Sequence, residues 1–204
     1  MKFVSVKLRV LLGIVIPLLI MAGGVAGVAV WKMRATAVQD FTAKSQQELN
    51  LFGLYISQML RTGRDTAQAV ASDMDIRNGL GKFPLFSTST RETRYRHEDL
   101  PPETRAVAER LRNMQASHRQ FLEVFAGFRD GSYATSFQDS VVPAGTDMST
   151  RSWYRECAAS PGGSALSAVY QTIQNVPAVS LTHRIKGPGG EMVGVVGVDI
   201  SLAG

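Results

Sequence analysis

Leu122-Glu123-Val124-Phe125-Ala126-Gly127-Phe128, Arg129-Asp130-Gly131-Ser132 and Tyr133-Ala134-Thr135-Ser136-Phe137 follow one another without a break. The first and last pieces are rich in aromatic and aliphatic residues with a period near two, the mark of β-strands. The middle piece carries Asp-Gly, which suits the left-handed backbone of a tight hairpin turn. From Phe121 onward the chain therefore reads as antiparallel sheet. Three more strand-like runs follow at Leu166 to Thr172, Ala178 to Lys186 and Met192 to Leu202. Gly187-Pro188-Gly189-Gly190 joins the last two as a hairpin, and Pro161-Gly162-Gly163 is a turn.

Outward toward the N-terminus the period becomes helical. Pro101-Pro102-Glu103 opens a helix to about Arg119, with proline in the first turn and an early acid. Gly79 to Leu100 is polar and irregular, with Gly81, Pro84 and a Ser/Thr run. Ala35 to about Gly79 has no proline. Its apolar residues at Val38, Phe41, Leu49, Phe52, Tyr55 or Ile56, Met59 or Leu60, Val70 and Met74 recur in steps of three and four. Residues 32–79 thus predict a long stalk helix, of roughly 65 Å at about 1.5 Å per residue. Its stripe either pairs with a second copy in a parallel homodimer or packs on its own domain. The fold class expected is α+β: an N-terminal apolar helix, a stalk helix and a five-stranded antiparallel sheet in residues 80–204.

Val10 to Trp31 contains no charged residue. At about 1.5 Å per residue it spans a hydrocarbon core of roughly 30 Å, and it exceeds the apolar part of a signal peptide, typically about 7–15 residues. Residues 10–31 are therefore expected to be a transmembrane helix, with 1–9 as a cytoplasmic tail. Lys2, Lys7 and Arg9 before the span, against Lys32 and Arg34 after it, favour an inside N-terminus. The expected location is the bacterial inner membrane, single-pass, with the main domain periplasmic or extracellular.

The net charge of +5 has the same origin. Residues 1–34 hold five of the 22 basic residues and no acid, leaving 17 bases against all 17 acids in the remainder. That pattern fits membrane headgroups rather than nucleic acid as a partner. Cys157 is the sole cysteine, so it forms no intrachain disulfide and no zinc set. It reads as a small buried apolar residue, with an intermolecular disulfide as the alternative. His97, His118 and His183 form no ligand pattern. No nucleophile elbow, P-loop, metal cluster or paired-acid signature is present, so no cofactor and no catalytic residue is expected.

The densest chemistry lies at Arg151-Ser152-Trp153-Tyr154, after the loop Val142-Pro143-Ala144-Gly145 and at the start of a short helix ending near Ala159. A guanidinium offers a fork of donors to a carboxylate, and Trp and Tyr offer flat apolar area with one polar tip each. The cluster reads either as one wall of a small-molecule pocket or as ordinary core under an arginine lid.

In order, the chain presents a membrane span, long helix, helix, strand–Asp-Gly–strand, Arg-x-Trp-Tyr, a tyrosine-bearing strand, a hairpin and a final Gly194-Val195-Val196-Gly197-Val198-Asp199-Ile200 strand. This order resembles the double Cache sensor domain of bacterial transmembrane receptors, most often methyl-accepting chemotaxis proteins. The matching segments are Phe125 to Tyr133, Arg151 to Tyr154, Tyr170, and Gly194 to Ile200. The resemblance implies a PAS-like membrane-distal module that binds a small molecule, an amino acid or organic acid. It implies that Arg151 and Trp153 hold a carboxylate, that Tyr154 and Asp199 hold an ammonium, and that Tyr170 lines the pocket. That division suits a zwitterion, which needs a cationic clamp at one end and an anionic or π-rich acceptor at the other. The alternative for Asp199 is a backbone cap or an ion pair with Arg151.

Two departures stand against the family pattern. A further tyrosine five residues before the arginine is Thr146 here, with Asp147 beside it as the substitute polar group. A second, membrane-proximal module and a signalling region normally follow, so the chain is expected to be a fragment or an incomplete gene product. Beside the chemoreceptor reading stand the sensor of a histidine kinase or diguanylate cyclase, and a non-sensory membrane-anchored dimerisation module.

Overall fold

The computed structural model describes residues 6–202, so the first five residues of the expected cytoplasmic tail lie outside the described residues. The chain divides into two compact units, Met1–Tyr55 and Ile56–Gly204.

In the first unit the backbone is helix α1, which begins at Val6 and continues to Ser72, with Pro17 inside it. The helix contains a segment long and apolar enough to cross a bilayer. Its large side chains at Val10, Leu11 and from Ile14 to Trp31 are exposed. So are Leu49, Leu51, Phe52, Leu54 and Tyr55 farther along.

In the second unit the end of α1 is one wall of a core. Helical residues continue only to Ser72, short of the expected Gly79. Asp73 leaves the helix at φ −62° and ψ 132° and caps a second, four-residue helix α2, Met74–Arg77. Its carboxylate accepts the amide protons of Asp75 at 2.9 Å and Ile76 at 3.3 Å. Arg110, on helix α3 (Pro102–Ala116), pairs with Asp73 at 3.3 Å and Asp75 at 2.6 Å. An N-cap carboxylate satisfies amides that a continuing helix would bond itself, which is why the break falls here.

The strands are β1 Thr93–Arg96, β2 Phe121–Phe128, β3 Tyr133–Thr135, β4 Asp139–Val142, β5 Ser164–Leu166, β6 Tyr170–Gln171, β7 Pro177–Lys186 and β8 Met192–Ser201. The main antiparallel sheet has the order β3-β2-β8-β7-β5, and β6 also pairs with β7. The strand expected over Leu166 to Thr172 is therefore two pieces on one edge. Ser167 causes the split: its Oγ accepts the Ser180 amide at 2.8 Å. The register moves from Leu166↔Leu181 to Tyr170↔Ala178, so one extra residue is bulged out. The two-stranded sheet β1–β4, with Tyr95 opposite Ser140, occupies segments that carry no strand periodicity in sequence.

The Asp-Gly turn forms as expected. Gly131 takes φ +87°. Asp130 Oδ1 accepts the Ser132 amide at 3.0 Å. The pairing of β3 stops at Thr135 because the Ser136 hydroxyl, rather than a ladder carbonyl, accepts the Val124 amide at 3.0 Å.

Both faces of the central strands are covered, which explains their near-continuous apolar run. Val124, Ala126, Phe128, Val196 and Val198 pack with Ala67, Val70, Val107 and Leu111 from α1 and α3. On the opposite face Phe125, Tyr133 and Val195 pack with Met148, Trp153, Tyr154 and Cys157, the last three from helix α4, Ser152–Ala159. Cys157 is buried and free, as a small apolar residue would be.

Candidate functional site

Strand alternation decides which side chains meet beneath α4. Glu123 on β2, Asp199 on β8 and Ser180 on β7 form one row across three strands, with Glu123 opposite Asp199 and Asp199 opposite Ser180. Side chains of paired residues lie on the same face, so all three stand on the α4 side beside Phe125 and Tyr133. A cavity lies above this row. Glu123, Phe125, Tyr133, Met148, Arg151, Trp153, Tyr170, Thr172, Ile173 and Asp199 line it.

Four of the five residues singled out in sequence, Arg151, Trp153, Tyr170 and Asp199, thus converge on one space from α4, its N-cap, β6 and β8. Tyr154 is not among the lining residues. It is buried behind Trp153, ring centroids 5.8 Å apart, and burial pushes its phenol up to about 12. Helical geometry gives the reason: neighbours in a helix point about 100° apart, so Trp153 and Tyr154 cannot face the same space.

The cavity is small. About 10 Å³ of it can hold the centre of a water molecule, room for roughly one water. Trp153 is fixed from both sides, edge-on to Phe125 at 4.8 Å and to Tyr154. Arg184 on β7 holds the far end of α4. It donates from Nε to the Cys157 carbonyl at 3.2 Å and from Nη2 to the carbonyls of Ala158, at 2.9 Å, and Ser160. The Cys157 and Ser160 carbonyls also accept the amides of Ser160, at 3.1 Å, and Gly163, at 3.2 Å, so the arginine adds a charged donor that orients this helix end.

Asp199 is neither a backbone cap nor paired with Arg151. Its Oδ1 accepts from Ser180 Oγ at 2.6 Å, and both carboxylate oxygens lie within reach of the Tyr170 hydroxyl, at 2.7 and 2.6 Å. The ion pairs among the described residues all lie elsewhere, at Arg94, Arg96 and Arg110. Arg151 is half-buried, donates from Nη2 to the Gln171 carbonyl and lies 5.6 Å from the Tyr170 ring centroid. Burial raises Asp199 to about 6, against the lowering influence of the two hydroxyls and the Arg151 charge.

Glu123 is the residue that the sequence reading missed. It is 2% exposed and accepts from the Tyr133 and Thr135 hydroxyls, both at Oε1. Burial, and then the charge of Asp199, push it up to about 8. Two neighbouring buried carboxyls resist double ionisation, so they compete for one proton. The same surroundings drive the Tyr133 and Tyr170 phenols far above their ordinary value, burial first and the neighbouring carboxylates next.

The Thr146 position carries no replacement polar group into the cavity. Thr146 Oγ1 donates to the Pro143 carbonyl at 2.7 Å. Asp147 is also spent locally: its Oδ1 accepts the Ser149 amide at 2.9 Å and the Ser149 hydroxyl at 2.7 Å.

No protein-family model matches the chain. One curated relative, the methyl-accepting chemotaxis protein McpA of Pseudomonas putida, is 36% identical over 85 residues, covering 41% of this chain and 13% of that protein. The sensor domain of the Vibrio cholerae histidine kinase DctB matches with a TM-score of 0.56 at 12% identity, covering 81% of this chain and 57% of that one. The ligand-binding domain of the Pseudomonas fluorescens chemoreceptor CtaA, solved with L-isoleucine, matches with a TM-score of 0.50 at 23% identity, covering 75% and 51%. The chain thus spans about half the length of these domains. The chain shares the antiparallel α+β fold of these two sensor domains.

Proposed function

We propose that the chain is the extracytoplasmic input portion of a membrane-anchored bacterial chemoreceptor and that it takes a small amino-acid-like or carboxylate ligand in the cavity beneath α4. The observation that carries this reading is the convergence of Arg151, Trp153, Tyr170 and Asp199, distant in sequence, on one buried polar cavity. Arg151 receives the carboxylate, the Trp153 face excludes water, and Asp199 with Tyr170 receives the ammonium. The likeness to the CtaA and McpA proteins supports the class of receptor.

The apolar segment of α1 anchors the chain in the membrane, with the sheet domain outside the cytoplasm. The exposed side chains of Leu51, Phe52 and Tyr55 offer the surface for pairing with a second copy. With room for about one water, the resting cavity must open before a ligand enters. Binding therefore works by stabilising a more open state, and only the difference in affinity between the two states does signalling work. A second reading, input to a histidine kinase, is favoured by the higher TM-score of the DctB domain and uses the same site.

Isothermal titration calorimetry of the detergent-solubilised chain against amino acids and organic acids tests the site. Arg151→Ala should weaken every binder by at least about tenfold, the loss of one charge-assisted hydrogen bond. Unchanged affinity in that variant would refute the assignment.

A further inference from the structure

We infer that Glu123 makes this pocket selective for a diamino acid, a small molecule with one carboxylate and two ammonium groups. The inference rests on the pocket reading above and goes beyond it. The cavity is lined by two carboxyl groups, Glu123 and Asp199, and one guanidinium, Arg151. That set is the complement of two ammoniums and one carboxylate. An organic acid would bring further negative charge to two acids. A neutral amino acid satisfies Arg151 and one carboxyl, leaving the second to be kept protonated or to remain a buried unpaired anion, which is costly. A diamine satisfies both acids and leaves Arg151 facing a like charge. Of these classes, only the diamino acid pairs every charge.

Glu123 is built to face the cavity rather than to serve the fold. Its two hydrogen bonds, from Tyr133 and Thr135, both arrive at Oε1, so Oε2 is the oxygen offered to the space it lines. Its cross-strand partner is Asp199, and partners in an antiparallel sheet stand about 4.5–5.5 Å apart at Cβ. The two acids can therefore each meet one ammonium of a short diamino acid. The remaining groups around the pair are the hydroxyls of Tyr133, Thr135, Tyr170 and Ser180 and the guanidinium of Arg151. None of the hydroxyls can neutralise the second acid.

The test is calorimetric titration of the whole chain with L-2,4-diaminobutyrate, L-ornithine and L-lysine against L-alanine, L-isoleucine, succinate and butane-1,4-diamine. At least one diamino acid should bind about tenfold more tightly than any of the other four. Glu123→Gln should erase that margin, since the amide oxygen still accepts from Tyr133 and Thr135 but the amide brings no charge to a second ammonium. A measurement on the unaltered chain serves as well if that variant does not fold. In buffers of different ionisation enthalpy at pH 7, the diamino acid should expel roughly one proton more than L-alanine does. L-alanine or succinate binding as tightly as the diamino acids, an unaltered ranking in Glu123→Gln, or no extra proton released would each overturn the inference and leave the pocket reading standing. Binding of no panel member would overturn both.

Discussion

Glu123 and Asp199 are paired residues on neighbouring strands, both almost fully buried, and both line one cavity. Their hydrogen-bond donors are neutral hydroxyls from Tyr133, Thr135, Tyr170 and Ser180. An acid pair held this way is uneasy without a cation, and its cost depends on pH.

The folded-state value of Glu123 is raised from 4.5 to about 8, burial acting first and the Asp199 charge second. A raised carboxyl favours the folded state below pH 4.5, where both states are protonated, and loses that contribution as pH rises toward 8. Above that, the unfolded chain hydrates the anion that the folded chain must bury. Tyr133, Thr135, Asp199 and Arg151 are the groups that set the shift. Glu123→Gln should therefore melt near the parent temperature at pH 4. At pH 8.5 it should be more stable by about 1–4 kcal/mol, the range seen when buried charges are replaced. Thermal unfolding followed by circular dichroism at both pH values checks this. Equal melting temperatures at pH 8.5 would mean that the carboxyl is solvated.

Arg184 holds the end of α4 by the Cys157 and Ala158 carbonyls and that of its C-cap, Ser160. Arg184→Ala should cost about 1–3 kcal/mol, because buried acceptors lose a charged donor. It should also weaken ligand binding, since Trp153 lies on the same helix and Arg151 is its N-cap. Melting and calorimetry on one preparation separate the two effects.

Gly197 lies opposite Phe125 on β2, and an added Cβ would run into the Phe125 ring. That ring is also wedged against Trp153 at 4.8 Å. Gly197→Ala should cost about 1–3 kcal/mol by overpacking and should change near-ultraviolet circular dichroism as Trp153 is displaced. A variant with parent stability and spectrum would show that the ring moves freely.

The hairpins, α4 and the closing strand were legible because local chemistry sets them: period-two alternation, Asp-Gly, and Gly187-Pro188-Gly189-Gly190. Glu123 was not. In an alternating strand a glutamate reads as the solvent side, and only the covering of that face by α4 turns it inward. β1 and β4 are four-residue strands with one buried side chain each, too short for periodicity to register. Asp73 did carry a signal, a carboxylate N-cap two and three residues before the amides it binds, hidden by a helical stripe that runs past it. Arg184 offered none, since its partners lie more than twenty residues away. The resemblance to the sensor family gave Tyr154 the ammonium end, whereas the helix turns its side chain away from the cavity that Trp153 lines.

A crystal structure of the chain with its tightest calorimetric binder tests the central claim most directly. The account predicts ligand density beneath α4, a carboxylate on the Arg151 guanidinium, an ammonium on Asp199, and a cavity larger than the present space for about one water. Ligand density elsewhere, with the space between residues 151 and 199 still closed, would contradict it.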